Sequence, residues 1–169
     1  MDSDCVAIER AIGYIELGMF DDAHEEIEGL MPELYSSKIV LSLRASLYSK
    51  ANWWQRLHAV ARVLVSRWPG DCDHWILLGC ASRWCLSVSE SDDVFQEALL
   101  FHEFEPLIYF HLACNCAHIG NFAGARHHLN NALLLDPEIA KIVVDDADLA
   151  PVWIALEQKK LANAGLEIG

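Results

Sequence analysis

Eight histidines, six cysteines and an aspartate-rich stretch near the C-terminus are the residues whose types could do chemistry in this chain. They would support metal ligation, thiol nucleophilicity or proton transfer. Their spacing argues against each. His111 and His118 stand seven apart on one predicted helix face, and His127 and His128 are adjacent and splay apart. No His-Glu-x-x-His run occurs, and no histidine pair has a carboxylate at ligand spacing. Cys114 and Cys116 sit two apart on a predicted helix, so they point roughly 200° apart and cannot share a metal. Cys80 and Cys85 are five apart, also a poor ligand spacing. With Cys5 and Cys72 they form no Cys-x-x-Cys pair. All six read as buried thiols acting as small apolar residues, in keeping with a reducing compartment. Asp145, Asp146 and Asp148 lack the spacing of a calcium loop and read instead as caps for the last helix. There is no Gly-x-Ser-x-Gly elbow, no phosphate loop and no Gly-x-Gly-x-x-Gly. The expectation is a protein that is not an enzyme, with no cofactor and no metal.

The bulk properties narrow the class. A chain of 169 residues suits one domain, and with 53% apolar residues it is not a disordered one. Its apolar runs, such as Ala98 to Phe101 and Ala132 to Leu135, are far too short to cross a bilayer. The opening MDSDCVAIER carries no basic region followed by an apolar core, so no secretory signal is visible and a cytoplasmic location is expected. A formal net charge of −13 argues against nucleic acid and against an anionic membrane surface. That charge is layered. Residues 1–36 hold ten acids and one base, Arg10. Residues 37–70 hold six bases and no acid: Lys38, Arg44, Lys50, Arg56, Arg62 and Arg67. Residues 71–105 return to eight acids and one base, Arg83. Such layering suits complementarity between neighbours, and also a docking site for an acidic partner on the second layer.

The elements that must carry these residues are helices. Ile8, Ala11, Ile12 and Ile15 recur at helical spacing over 4–17, behind the capping residues Asp2, Ser3 and Asp4. Gly18-Met19 turns the chain, and Asp21 and Asp22 open a second helix, where acids suit the positive end of the helix dipole. Ser36 or Ser37 caps a third helix over 38–50. A fourth starts at Trp53 or Trp54 and stops before Trp68-Pro69-Gly70. Asp71 or Asp73 caps a fifth. The polar, glycine-free stretch from Leu86 to Asp93 predicts a loose connection to the sixth, marked by Phe95, Ala98 and Leu99. Pro106 opens the seventh helix as a first-turn proline. Gly120-Asn121 leads into the eighth, which ends at Asp136-Pro137. Beyond it, residues 138–144 read as a short helix, 149–161 as an amphipathic cap, and 163–169 as a frayed end.

Blocks 4–37, 38–71, 72–105 and 106–139 align without a gap. The small residue midway along each first helix is Ala11, Ala45, Gly79 and Ala113. The turn carries Gly18, Asn52, Leu86 and Gly120. The aromatic opening the second helix is Phe20, Trp54 and Phe122, with Val88 the exception. Ala23 and Ala125 recur at the helix crossing, where Leu57 and Ser91 stand in the middle blocks. Trp75 to Gly79 gives W-x2-L-G, and Tyr109 with Leu112-Ala113 gives a conservative version. This pattern resembles the tetratricopeptide repeat, a 34-residue helix–turn–helix unit, across about 4–139, and most looks like a bacterial member.

The resemblance implies an all-α fold of four helix pairs in a right-handed superhelix, closed by a C-terminal capping helix over about 140–161, all as one domain. It implies a non-catalytic scaffold that binds a peptide or partner helix in a concave groove lined by each first helix. The groove residues carried over are Lys50, Ile76, Arg83, Trp84, Phe110, Cys114 and His118. Trp84 and Trp53 are the tryptophans expected at the surface. The Lys, Arg and Asn clamp with which some repeats hold a C-terminal carboxylate is missing, since Ile8, Ile12, Leu43 and Asp73 stand at those places. An apolar lining favours an amphipathic helix or an extended hydrophobic peptide. The alternatives to an external partner are the chain's own N-terminus or cap, or a second copy in a homodimer.

Overall fold

A computed structural model describes residues 3–163, without the side chains of residue 157 and residues 159–163; the predicted frayed stretch after 163 lies outside the described residues. Ten α-helices and no strand occur among the described residues. They are α1 (Ser3–Glu16), α2 (Phe20–Glu28), α3 (Lys38–Lys50), α4 (Trp54–Arg67), α5 (Cys72–Cys85), α6 (Val88–Leu99), α7 (Pro106–His118), α8 (Phe122–Leu135), α9 (Ile139–Val143) and α10 (Ala150–Asn163). A short 3₁₀ turn, Pro32–Leu34, lies between α2 and α3. The chain divides into two compact units, one up to Ser91 and one from Asp92.

The 34-residue register is written in burial. Ala11, Ala45 and Ala113 are wholly enclosed, and Gly79 is buried at the same place. So are Ala23, Leu57, Ser91 and Ala125, the four residues at the helix crossing. Any larger side chain at the alanines would push two helices apart, because a packed interior has no spare volume.

Turn chemistry follows the same register with one break. Gly18 and Gly120 adopt φ of +74° and +77°, and Asn52 adopts +57°. Glycine enters that left-handed region without penalty, and asparagine tolerates it. Leu86, the fourth member, cannot do so cheaply and sits at φ −123°. The loose connection expected after it does not form. Only Leu86 and Ser87 separate α5 from α6. Ser87 Oγ accepts from the Glu90 backbone N–H at 3.1 Å, which starts α6 inside the polar stretch. A serine cap thus replaces a left-handed turn.

Other helix starts use local side chains. Ser37 Oγ accepts from the Val40 amide and Asn121 Oδ1 from the Gly124 amide. Glu105 accepts from the Leu107 amide in front of Pro106. Asp71 holds the N-cap position of α5, yet its carboxylate is turned away to Lys38 Nζ at 2.9 Å and His74 Nε2 at 3.4 Å. That bond from Lys38 holds the Asp71 carboxyl below its ordinary value.

In the first unit α1 packs on α2, α2 on α3, α3 on α4 and α4 on α5. Its core includes Ile15, Ile27, Leu47, Leu57 and Leu64. The charge layering closes here on neighbours. Arg44 of the basic layer reaches Glu28 of the first acidic layer at 2.8 Å, and Lys38 reaches Asp71. In the second unit α7 and α8 form the central pair, and α9 and α10 pack on it. Phe110, Ala113, Leu129, Ile139, Val143 and Leu149 belong to one core there.

Candidate interaction surface

The seven residues expected to line a groove fall on three helices. Lys50 is exposed in the last turn of α3. Ile76, Arg83 and Trp84 lie on α5, in the same unit, and α3 touches α5. Phe110, Cys114 and His118 lie on α7, in the second unit.

On α5 the geometry is that of an aromatic and cationic platform. Trp84 is 60% exposed and stacks on Trp54, with ring centroids 5.9 Å apart and planes at 20°. The Arg83 guanidinium lies 5.6 Å from the Trp84 ring centroid, within cation–π range. Ile76 and Cys80 are half-buried along the same helix. Burial pushes the Cys80 thiol up to about 11, against a weaker opposing pull from Arg83. That sulfur is therefore a neutral apolar contact at neutral pH, not a nucleophile. Trp84 matches its expected exposure. Trp53 is half-buried instead, between His24, Tyr48 and the Arg56 guanidinium, which lies 4.8 Å from its ring.

On α7 Phe110 and Cys114 are covered, whereas His118 stays about half exposed. Phe110 is 8% exposed and Cys114 2%. Both belong to the core that takes in Ile139, Val143 and Leu149. Cys114 Sγ lies 3.6 Å from Asp146 Oδ2, and His118 Nδ1 lies 3.6 Å from Asp148 Oδ1. Asp146 is fixed in turn, because its Oδ1 accepts the amides of Asp148 and Leu149 at 3.0 and 2.9 Å. Phe110 and Cys114, expected to line a groove, are therefore not open to a partner, because they share a core with residues of the segment Ile139–Leu149. The sequence marks this segment as a short helix and a run of caps. It holds no sign of the contact with α7, which joins residues about thirty positions apart.

Several of the histidines pack against aromatic rings. His111 stacks on Phe95 at 5.3 Å with planes 2° apart. His128 lies against Tyr109, and burial, then His127, hold its pKa below the ordinary 6.5. No group of three metal-ligating side chains converges among the described residues. No disulfide joins the six cysteines, and Cys5, expected to be buried, is exposed. No helix among the described residues is long and apolar enough to cross a membrane. Away from the groove register, an apolar cleft of about 340 Å³ opens between α8 and α10, lined by Phe122, Arg126, Pro151, Val152 and Ala155.

No family model matches the sequence, and no curated protein matches it. Solved structures do match. MamA MSR-1 C2 aligns with a TM-score of 0.69 at 20% identity, covering 82% of each chain. A mutant form of MamA aligns at 0.64 and 21% identity, over 80% of this chain and 81% of that one. TTC0263, a thermophilic TPR protein of Thermus thermophilus, aligns at 0.66 and 18% identity, over 91% of this chain and 83% of its own. At these identities the likeness is one of fold. The fold is the tetratricopeptide type, in agreement with the repeat read from the sequence.

Proposed function

We propose that this chain of tetratricopeptide fold is a non-catalytic, cytoplasmic interaction scaffold that holds a peptide or a partner helix on the groove register of its first helices. Its four repeats, over 4–139, act as one domain with the C-terminal segment as cap. The observation that carries the reading is the Trp54–Trp84 stack with Arg83 beside it. A large aromatic left open to water, backed by a second ring and flanked by a guanidinium, is the arrangement found where binding energy concentrates at protein interfaces.

The test is selection of peptides from a random display library on the immobilised chain, followed by titration of the winners against Trp84→Ala and Ile76→Ala. Loss of binding in both variants supports the groove. Winners that bind both variants as tightly as the parent place recognition elsewhere.

A second reading, self-association, is favoured by the last layer. Phe122 is 58% exposed beside the α8–α10 cleft, and Leu134 of α8 is 83% exposed. Large apolar side chains left exposed along the second helix of the last repeat are what a second copy would cover. Sedimentation over a concentration series decides it: a monomer throughout removes this reading, and a dimer broken by Phe122→Glu establishes it.

A further inference from the structure

We infer that the cleft between α1 and α2 takes an arginine side chain from a basic peptide segment, with Asp4 as the carboxylate that receives its guanidinium. This cleft shares no lining residue with the platform at Trp84.

Asp4 stands in the first turn of α1 and is only 8% exposed. Its side chain has no hydrogen-bond or ion-pair partner among the described residues. Burying a carboxylate is unfavourable unless a cation or several donors meet it. The positive end of the α1 dipole offsets only part of that cost. A solvated acidic surface would leave the group in water instead. Asp4 lines an open cleft of about 410 Å³, and every residue on its walls belongs to α1, α2 or Gly29, inside the first unit.

The other charges on those walls ask for the same occupant. Asp22 and Glu25 line the cleft from α2 and are exposed, and Glu26 lines it beside them. Arg10 is the one base on the walls among the described residues, and its guanidinium lies 3.1 Å from Glu26. That pair accounts for one acid and leaves Asp4, Asp22 and Glu25. The backbone adds to their sign. Glu25, Glu26 and Gly29 stand at the C-terminal end of α2, the negative end of its dipole, and the last turn of α2 holds no base. A cation is what such an end favours, and here it must come from outside.

A metal ion is a poor occupant, since no three ligating side chains converge among the described residues. A guanidinium suits the walls better. It bonds a carboxylate through two parallel N–H groups and stacks on aromatic faces. Asp4 supplies the carboxylate, and Tyr14, also on the wall, supplies the ring. The Arg10–Glu26 pair shows the same chemistry already in use there.

The probe is a fluorescein-labelled peptide of alternating arginine and alanine, blocked at both ends and titrated by anisotropy against the full chain. Saturable binding is expected. Asp4→Asn should weaken it at least about tenfold, as when one partner of a desolvated charge pair is removed. Gly29→Leu should weaken it too while leaving every charge in place. Gly29 has φ −80°, and an added β-carbon would lie 3.4 Å from the nearest atom, Glu25 O, so the new side chain enters the cleft without straining the backbone. Glu97→Gln removes the same charge from an exposed site on α6 and should have little effect, as should Trp84→Ala. Circular dichroism of each variant confirms that the helices remain. Absence of binding, or binding unchanged in Asp4→Asn, overturns the inference. So does equal weakening by Asp4→Asn and Glu97→Gln, because the peptide would then follow net charge alone. Weakening by Trp84→Ala but not by Asp4→Asn puts the peptide on α5 and also overturns it. A lysine peptide that binds as tightly as the arginine one removes the guanidinium assignment.

Discussion

Helices α5 and α7 share one register, 34 residues apart, and differ in what covers it. On α7 the positions Phe110 and Cys114 are enclosed by Ile139–Leu149. On α5 the matching Ile76 and Cys80 are half-buried and Trp84 is open. Phe110 and Cys114 are thus core in the second unit, Ile76 and Cys80 only partly covered in the first, and the last position, His118 or Trp84, is exposed in both. Periodicity states which residues share a face, but only a neighbour decides whether that face stays dry. The difference in composition follows. The covered helix places Phe, Cys and His against apolar side chains and two aspartates, whereas the open one ends in Arg-Trp, residues enriched where proteins meet.

The largest effects should come from removing the cores of the two units separately. Leu57→Ala and Leu129→Ala each truncate a wholly buried leucine and should cost about 2–5 kcal/mol. Urea unfolding followed by hydrogen exchange should show amides of 3–91 losing protection in the first variant and those from 92 onward in the second. A uniform loss in both would erase the distinction between the units.

Next in size is the cover on α7. Val143→Ala removes two methyl groups from a fully buried residue of α9, at roughly 1–2 kcal/mol on the usual value per buried carbon. Alkylation mapped by mass spectrometry should find Cys114 labelled faster, with Cys80 unchanged. Equal labelling of Cys114 in variant and parent would mean that Ile139–Leu149 is not what shields it.

A smaller effect tests the break in the turns. Gly18→Ala and Gly120→Ala force a β-carbon into the left-handed region, at about 1–2 kcal/mol each. Leu86→Gly should bring no relief, because Leu86 has negative φ and no such strain. Thermal melts of the three variants rank them. Stabilisation by Leu86→Gly would show that the α5–α6 turn wants the conformation of the others.

Acid should act on both units in one direction. Burial, then Arg62, holds His58 below 6.5, and burial, then His127, does the same for His128. A depressed value means that the unfolded chain takes up the proton more readily. The stability these residues contribute is present above 6.5 and is lost as pH falls through their lower folded values. The urea midpoint should drop between pH 7.5 and pH 5, and His128→Gln should flatten that slope. The smallest effect is expected at the Arg44–Glu28 pair. Glu28→Gln should cost only about 0.2–1 kcal/mol at low salt, and less at high salt.

Much of the fold is legible because a repeat states its packing rule several times. Ala11, Ala45, Gly79 and Ala113 name the helix contact, and Gly18, Asn52 and Gly120 name the turn. Leu86 misleads because the residues after it are polar, and polarity reads as a loop. The structure shows that Ser87 there is a cap. The surface is legible at Trp84, whose bulk at a groove position has no place in the core. It is not legible at Cys114, because a small thiol at a groove-facing position reads the same whether water or another segment of the chain lies across from it.

The sequence by itself determined the helices, their pairing in a 34-residue register and the charge of each layer, all of which are local or periodic properties. Only the tertiary structure decided that Ile139–Leu149 lies over α7 and that Trp84 on α5 stays open over Trp54. Those contacts join residues about thirty positions apart, and side-chain type alone does not say which of several matching apolar faces a free segment will choose.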